Sequence, residues 1–361
     1  MKMIVTCGGT GGHITPALAI ADTVRQNLPK AEILFVGTEG GMENTLVARA
    51  GYPIRTLAIC GLRRSLSLQN LRALYLAVRA TAQAKVILRE LAPDIVVGTG
   101  GYACYPMLRA AAELKIPTAV HESNAVPGLA VRRLAGRVDR VWLNFEAAAL
   151  HLPRGAAVRV VGNPLPVRCA KDSWKKPQDG ILRVLSFGGS LGASALNKAV
   201  LSLMETERIM PEVRHCHATG RREYDAARAA FALRGLSGCT RLELLPYIED
   251  MPRRMAEADL VICRAGAMSI SELAAAGVAA ILVPSPNVTG NHQYKNAKVL
   301  SDAGAAVLVS ECDLDVTLRG QAVALLKSET QRAALAASIS RFARPEANRL
   351  IYTDICDLVQ K

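Results

Sequence analysis

Near its N-terminus the chain carries Met3-Ile4-Val5-Thr6-Cys7-Gly8-Gly9-Thr10-Gly11-Gly12, an apolar run that leads directly into a glycine-rich loop. The same design returns at Val184-Leu185-Ser186-Phe187-Gly188-Gly189-Ser190-Leu191-Gly192-Ala193, with the two glycine pairs 180 residues apart in a chain of 361. A buried strand followed by a glycine turn and a helix is the building unit of doubly wound parallel sheets. The repeat therefore predicts an α/β protein with two doubly wound, Rossmann-like domains in tandem.

Short apolar runs alternate with amphipathic stretches along almost the whole chain. Continuous apolar strands separated by helices are typical of parallel sheets that are covered on both faces. The predicted strands include Lys2–Thr6, Ile33–Val36, Ile95–Val97, Thr118–Val120, Arg140–Leu143, Arg183–Phe187, Leu260–Ile262, Ala280–Val283 and Ala306–Val309. The predicted helices include Pro16–Asn27, Leu68–Leu91 and Met268–Ala276.

The middle of the chain carries a proline-rich segment, Gly162-Asn163-Pro164-Leu165-Pro166. Proline stiffens the backbone and disfavours helix, so this segment is expected to be a hinge between a domain at 1–162 and a domain at 163–344. Beyond them, residues 345–361 are expected to form a helix, because their apolar positions fall roughly on one helical face. Those positions are Leu350, Ile351, Ile355, Leu358 and Val359.

Composition narrows the class of protein. Half of the residues are hydrophobic and 21% are charged, which supplies packed cores and excludes a disordered or fibrous chain. The formal net charge of +13 favours an anionic partner, such as nucleic acid, a phosphorylated small molecule or an acidic membrane surface. Aromatic residues make up only 4% of the chain, too few to favour a base-stacking surface for single-stranded nucleic acid.

The cysteines and the hydropathy pattern indicate a cytoplasmic protein. Nine cysteines occur singly and without a C-x-x-C pair, so neither a disulfide framework nor a zinc ribbon is expected. No signal peptide precedes the first predicted strand. No uncharged apolar stretch reaches the ~18 residues that a membrane-spanning helix needs.

Three glycine loops join a predicted strand to a predicted helix, at Gly8–Gly12, Gly98–Gly101 and Gly188–Gly192. Such loops let the backbone approach a phosphate at a helix N-terminus, and three of them in a basic chain favour a phosphate-bearing ligand. The chain has no G-x-x-x-x-G-K-[ST] motif, which excludes a P-loop NTPase. Gly98-x-Gly100-x-x-Ala103, with Glu122 about twenty residues on, also fits the spacing of a dinucleotide-binding loop.

Several polar residues stand where a strand is predicted to end. His13 follows the first glycine loop, and an imidazole there suits proton transfer near neutral pH. His121 and Glu122 end another strand and are expected to face a cleft. His215 and His217 alternate on a further predicted strand but lack a third ligand nearby in the sequence, so they are not expected to bind metal. Glu272 lies in the opening turns of a helix, where a carboxylate either interacts favourably with the helix dipole or accepts hydrogen bonds from the two hydroxyls of a ribose.

Six motifs stand in order along nearly the whole chain: Gly8-Gly9-Thr10-Gly11-Gly12-His13, Gly100-Gly101-Tyr102, His121-Glu122-Ser123-Asn124-Ala125-Val126-Pro127-Gly128, Gly162-Asn163-Pro164, Gly188-Gly189-Ser190-x-Gly192-Ala193 and the run Cys263–Gly277. In this order they resemble the MurG family, the N-acetylglucosaminyltransferases of bacterial cell-wall synthesis. The resemblance implies a GT-B fold, in which two Rossmann-like domains face a central cleft and the last helix returns to the first domain.

The resemblance also implies the substrates. The first domain would bind a lipid-linked muramyl-pentapeptide diphosphate at the membrane, and the second would bind UDP-N-acetylglucosamine. Glu272 would hold the ribose hydroxyls, and backbone amides around Ser190 would face the diphosphate. By motif, the donor contacts carry over to Thr10, Gly11, Gly12, Asn124, Arg168, Ser190, Ile248, Ala267, Met268, Ser269, Ile270, Ser271, Glu272 and Gln293.

The implied reaction is the inverting transfer of N-acetylglucosamine to the muramyl sugar of undecaprenyl-diphospho-N-acetylmuramoyl-pentapeptide, from lipid I to lipid II in peptidoglycan synthesis. The attacking hydroxyl must lose a proton, and His13 is the candidate base, with Glu122 next in line. Amide groups at glycine loops and helix N-termini stabilise the departing diphosphate, so neither a metal nor another cofactor is expected.

Because the acceptor's lipid stays in the bilayer, the enzyme is expected to dock on the cytoplasmic face of the plasma (inner) membrane. A stretch that mixes leucines with arginines favours peripheral docking on anionic lipid, with an ordinary surface helix as the alternative. Its residues are Leu62, Arg63, Arg64, Leu66, Arg72 and Arg79.

Two rival functions stay open at this point. One is an NAD(P)-dependent oxidoreductase that uses the Gly98–Ala103 loop and Glu122. The other is a non-catalytic basic protein bound to membrane or nucleic acid, which leaves the polar loops at several strand ends unexplained. The transferase hypothesis expects no nucleic-acid partner.

Overall fold

A computed structural model describes residues 1–59, 68–166, 176–189 and 192–360, without the side chains of residues 68–77 and Thr289. The chain divides into two compact units, one formed by Met1–Pro166 with Arg344–Lys361 and the other by Val167–Ala343. Each unit is built on a parallel sheet flanked by helices. This confirms the predicted fold class of two Rossmann-like domains.

The first unit contains a sheet of seven parallel strands. They are β1 (Lys2–Thr6), β2 (Glu32–Thr38), β3 (Ile54–Leu57), β4 (Ile95–Gly98), β5 (Thr118–Glu122), β6 (Arg140–Leu143) and β7 (Val158–Val160). The connecting helices are α1 (Gly11–Asn27), α2 (Glu43–Arg49), α3 (Leu68–Leu91), α4 (Cys104–Glu113), α5 (Leu129–Leu134) and a short 3₁₀ helix at Glu146–His151. The strand order β3-β2-β1-β4-β5-β6-β7 puts the topological switch point between β1 and β4, where such sheets bind ligands.

Both faces of the first sheet are covered by helices, and its central strands are largely apolar. Met3 and Val5 of β1 pack on one face with Ile20 of α1. Ile4, which points the opposite way, packs on the other face with Leu108 of α4. Continuous apolar strands of this kind are what a sheet covered by helices on both sides requires.

The second unit contains a sheet of six parallel strands. They are β8 (Leu182–Phe187), β9 (Val213–Ala218), β10 (Leu242–Leu245), β11 (Leu260–Cys263), β12 (Ala279–Leu282) and β13 (Val307–Leu308). The helices are α6 (Ser194–Glu207), α7 (Tyr224–Leu233), α8 (Met251–Glu257), α9 (Ala267–Ala276), α10 (His292–Asp302), α11 (Arg319–Lys327) and α12 (Glu329–Ser340). The order β10-β9-β8-β11-β12-β13 repeats the pattern of the first sheet, with its switch point between β8 and β11.

The last helix, α13 (Ala347–Val359), belongs to the first unit. Ile351 and Ile355 join the same apolar cluster as Met3 and Val5. Beside them the buried Asp354 accepts a hydrogen bond from Trp142 Nε1 at 2.6 Å and pairs with Arg140 at 2.9 Å and Arg159 at 3.1 Å. This buried and fully paired carboxylate fixes α13 to β6 and β7.

None of the helices formed by the described residues is long and apolar enough to cross a bilayer.

Candidate active site

The first glycine loop leads from β1 into the N-terminus of α1 and presents His13. The His13 ring is half-buried, and its Nδ1 lies 3.0 Å from the carbonyl oxygen of Gly8 and 3.3 Å from the hydroxyl of Thr10. A carbonyl can only accept a hydrogen bond, so Nδ1 is the nitrogen that carries the hydrogen. The neutral ring therefore has its lone pair on Nε2, the nitrogen that can take up a proton.

The second glycine loop follows β4, the neighbour of β1, and packs on the first. Gly100 and Gly101 adopt left-handed backbone conformations, with φ of 105° and 92°. A Cβ atom on Gly100 would lie 2.9 Å from His13 Nε2, and one on Gly101 would lie 2.8 Å from the backbone nitrogen of Gly8. The glycines are thus required because this loop approaches the first loop and its histidine closely.

The two polar residues at the end of β5 face the interior, contrary to the expectation that they face a cleft. His121 is fully buried and donates from Nε2 to the carbonyl of Gly162 at 2.9 Å, and burial lowers its pKa to about 4. Glu122 accepts from the backbone and the side chain of Asn124, both at 2.9 Å, and from the Gly128 N–H at 2.8 Å. These bonds make Glu122 the organiser of the turn before α5, which favours a structural role over proton transfer.

In the second unit, the sequence-predicted donor residues follow the carboxyl ends of adjacent strands. Ile248 comes after β10, the segment 267–272 after β11, and Gln293 after β12. Because the strands are parallel, these ends lie along one edge of the sheet, on either side of the switch point. Arg168 and Ser190 lie outside the described residues.

The residues of α9 that are predicted to contact the sugar donor lie partly in the core and partly on a polar face of the helix. Ala267, Met268 and Ile270 are buried, whereas Ser269, Ser271 and Glu272 are half-buried. Its N-terminus follows an extended Gly266, and the first turn carries no acidic side chain. The amide groups of that turn therefore present a positive potential to an anion, with a carboxylate one turn further on.

Arg264 and Gln293 hold the polar loop after β12, and the sequence did not single out Arg264. Arg264 Nη1 donates to the carbonyls of Val283 and Pro284, both at 3.3 Å, and its guanidinium pairs with Glu311. Gln293 Oε1 accepts from the Ser285 N–H at 2.8 Å. The sequence feature that could have identified Arg264 is its position directly after Cys263, at the end of an apolar strand.

A buried polar network lies beneath the glycine loop of the second unit. The Ser186 hydroxyl is 2.7 Å from both His215 Nε2 and His217 Nδ1. His215 Nδ1 is 2.5 Å from Glu207, and His217 Nε2 is 3.1 Å from the side-chain oxygen of Asn197. Burial lowers the pKa of His217 to about 3, so the ring is neutral. Among the described residues, no three His, Cys, Asp or Glu side chains are placed to hold a metal.

The predicted membrane-docking residues fall largely outside the described part of the chain. Leu62, Arg63, Arg64 and Leu66 belong to residues 60–67, which the structure does not describe, and Arg72 lies in α3 without a described side chain. Arg79, further along α3, is exposed.

Comparison with known proteins identifies the family. Residues 3–143 match the glycosyltransferase family 28 N-terminal domain, and residues 183–350 match the glycosyltransferase family 28 C-terminal domain. A UDP-N-acetylglucosamine–N-acetylmuramyl-(pentapeptide) pyrophosphoryl-undecaprenol N-acetylglucosamine transferase of Limosilactobacillus fermentum is 40% identical over 356 residues, 96% of each chain. Its counterpart in Acetivibrio thermocellus is 39% identical and covers 100% of this chain and 99% of its own.

A solved structure agrees with these relatives. The crystal structure of MurG from Acinetobacter baumannii superposes with a TM-score of 0.80 at 31% identity and covers 99% of both chains. The oxidoreductase alternative finds no support, and the loop on which it rested packs on the chain's own backbone at Gly8. The chain therefore belongs to the MurG family of UDP-N-acetylglucosamine-dependent N-acetylglucosaminyltransferases, within glycosyltransferase family 28.

Proposed function

We propose that the protein transfers N-acetylglucosamine from UDP-N-acetylglucosamine to the muramyl sugar of undecaprenyl-diphospho-N-acetylmuramoyl-pentapeptide, with inversion at the anomeric carbon. The proposal rests on one observation, in a chain that belongs to the MurG family. The residues of the second unit that the sequence predicts to contact the sugar donor follow adjacent strands along one edge of the sheet. An acceptor site in the first unit and a donor site in the second follow from the same assignment.

The donor is proposed to lie across the switch point of the second sheet. The Gly188–Gly192 loop and the N-terminus of α9 supply amide groups for the diphosphate. Glu272 accepts hydrogen bonds from the two ribose hydroxyls. Ile248, Gln293 and the remaining residues of the segment 267–272 complete the donor contacts, together with Arg168 and Ser190. From the first unit, Thr10, Gly11, Gly12 and Asn124 are proposed to contact the donor as well.

In the proposed reaction, the acceptor hydroxyl attacks the anomeric carbon on the face opposite to UDP. A bond forms between that oxygen and the anomeric carbon, while the bond from the carbon to the diphosphate oxygen breaks and its electron pair leaves with UDP. His13 Nε2 takes the proton of the attacking hydroxyl. Because the diphosphate gains charge as it departs, the fixed amide dipoles bind the transition state more strongly than the ground state.

A transfer assay tests the function directly. The protein is incubated with UDP-N-acetylglucosamine labelled in the sugar and with the lipid-linked muramyl-pentapeptide diphosphate. We expect the label to enter the lipid fraction, with one UDP released for each sugar transferred and no transfer when the acceptor is omitted. Release of UDP without labelled lipid would show a hydrolase and contradict the proposal.

We also propose that the enzyme docks on the cytoplasmic face of the plasma membrane through the leucine- and arginine-containing stretch that begins at Leu62. The support is the mixed character of this stretch, the exposure of Arg79 and the need to reach a substrate that is anchored in lipid. Each arginine near an anionic surface contributes about 1 kcal/mol to binding.

Charge reversal tests the docking surface. We expect the variant with Arg63, Arg64, Arg72 and Arg79 changed to Glu to bind vesicles of anionic lipid at least ~10-fold more weakly than the unchanged protein in co-sedimentation. A matched control reverses the exposed Arg214, Arg222, Arg228 and Arg319 of the second unit and so changes the net charge equally. Equal binding by the two variants would show that overall charge, and not this stretch, brings the protein to the membrane.

A further inference from the structure

The peptide group between Gly8 and Gly9 is hydrogen-bonded at both of its ends. Its carbonyl, on Gly8, accepts from His13 Nδ1 at 3.0 Å. Its N–H, on Gly9, donates to Glu43 Oε2 at 3.2 Å. A carboxylate, one peptide group and an imidazole thus form a continuous hydrogen-bonded chain that ends at His13 Nε2.

The carboxylate of Glu43 sits in a site built to receive it. It is fully buried at the start of α2, and its Oε1 accepts from the backbone N–H of Thr38 at 2.8 Å and from the Thr38 hydroxyl at 2.6 Å. A Cβ atom on Gly8 would lie 2.7 Å from Glu43 Oε1, and one on Gly37 would lie 2.6 Å from Glu43 Cγ. Glycine at these positions therefore makes room for this side chain.

Glu43 is ionised at neutral pH in spite of its burial. Burial by itself raises the pKa of a carboxyl group, but the hydrogen bonds from Thr38 and Gly9 outweigh that effect and hold the pKa of Glu43 below its usual value. A full negative charge is therefore held beneath the first glycine loop, one peptide group away from His13.

We propose that Glu43 is a positioning residue for the proton transfer and acts on His13 through the Gly8–Gly9 peptide group. This inference rests on the proposed role of His13 as the base. A carboxylate bonded to the N–H polarises the peptide and makes its carbonyl a stronger acceptor for the imidazole N–H. The carboxylate also favours the imidazolium that forms when Nε2 takes the proton, as the third group of a nucleophile–base–orienter set does.

Four other titratable groups lie in the neighbouring elements of the first unit, and none of them has a described hydrogen bond to the Gly8–Gly9 peptide group. His121 on β5 repels the imidazolium only when it is charged itself, and burial keeps it neutral. The thiols of Cys7 and Cys104 are neutral because burial raises their pKa well above its usual value. The carboxyl group of Glu122 is bonded to the turn at Asn124 and Gly128. Glu43 is the charged group that bonds to the loop itself.

The test compares Glu43→Gln with the unchanged protein. The neutral amide keeps the shape of the side chain but removes the charge, so we expect His13 to titrate at a pH lower by about 0.5–1 unit in ¹H–¹⁵N spectra of the imidazole. The acidic limb of the kcat/KM profile should move with it. Glu43→Asp keeps the charge and should restore most of the shift. Asp22→Asn, on the same helix as His13 but remote from the loop, is the matched control and should move neither measurement.

The measurements distinguish a failure of the inference about Glu43 from a failure of the proposal that His13 is the base. An unchanged His13 titration in Glu43→Gln would overturn the inference about Glu43, whatever the activity. The resonance of His121, which is buried in the same unit as Glu43, reports whether that unit is folded in the variant. If His13 titrates as expected in the variant but His13→Ala keeps normal turnover, the coupling exists without a catalytic role. That result would overturn the proposed base and the positioning role together.

Discussion

The variant His13→Ala is expected to lose turnover by about 10²–10⁴-fold, the usual contribution of a general base, while its affinity for UDP stays within about twofold. The difference arises because Nε2 acts on the acceptor hydroxyl, whereas the diphosphate and the uridine are proposed to bind in the second unit. Initial rates at saturating donor give the loss of kcat, and calorimetric titration with UDP gives the affinity.

A second substitution separates the loss of a base from damage to the loop. His13→Asn keeps a side-chain N–H that can donate to the Gly8 carbonyl but offers no nitrogen lone pair for proton transfer. It should therefore lose turnover to nearly the same extent as the alanine variant. Turnover close to normal in either variant would remove His13 as the base.

The second large effect is expected for Glu272→Ala, which should weaken UDP binding by about 10- to 100-fold and raise the donor KM in parallel. A loss of this size is typical when a hydrogen bond to a charged group is removed. Here the charged group is the Glu272 carboxylate, and the ribose hydroxyls are the donors. The value of kcat should fall much less, because the lost contacts are the same in the ground state and the transition state.

The ribose assignment has a sharper signature than affinity alone. The unchanged protein should prefer UDP to its 2′-deoxy analogue, and Glu272→Ala should bind the two nucleotides almost equally. Glu272→Gln, which keeps acceptor and shape but not charge, should lie between them. Calorimetric titration measures all six affinities. A variant that discriminates as well as the unchanged protein would show that another residue holds the ribose.

Most of the central strands of the two sheets could be predicted from the sequence because they are buried on both faces and read as largely continuous apolar runs. Strands β3, β7 and β10 were not predicted. Each lies at the edge of its sheet and carries a charged residue in its middle, at Arg55, Arg159 and Glu243. A short, half-exposed strand of this kind has no periodicity that separates it from a loop.

The glycine loops could be located from the sequence, but the interactions that shape them could not. Glu43 follows Thr38-Glu39-Gly40-Gly41-Met42, a polar stretch that reads as an exposed turn. Its burial becomes visible only when the ends of β1 and β2 are adjacent, since Thr38 and Gly9 then converge on one carboxylate. Glu122 shows the opposite case, because its position at a strand end suggested chemistry while its partners lie two and six residues further along the chain.

The anomeric configuration of the transferred sugar tests the central claim most directly. If the acceptor oxygen displaces UDP in one step from the opposite face, the α-linked sugar of UDP-N-acetylglucosamine must become β-linked in the lipid product. The one-bond coupling between C1 and H1 of ¹³C-labelled N-acetylglucosamine distinguishes the two linkages. A product that is entirely β-linked is the result we predict, and an α-linked product would contradict the single displacement assisted by His13.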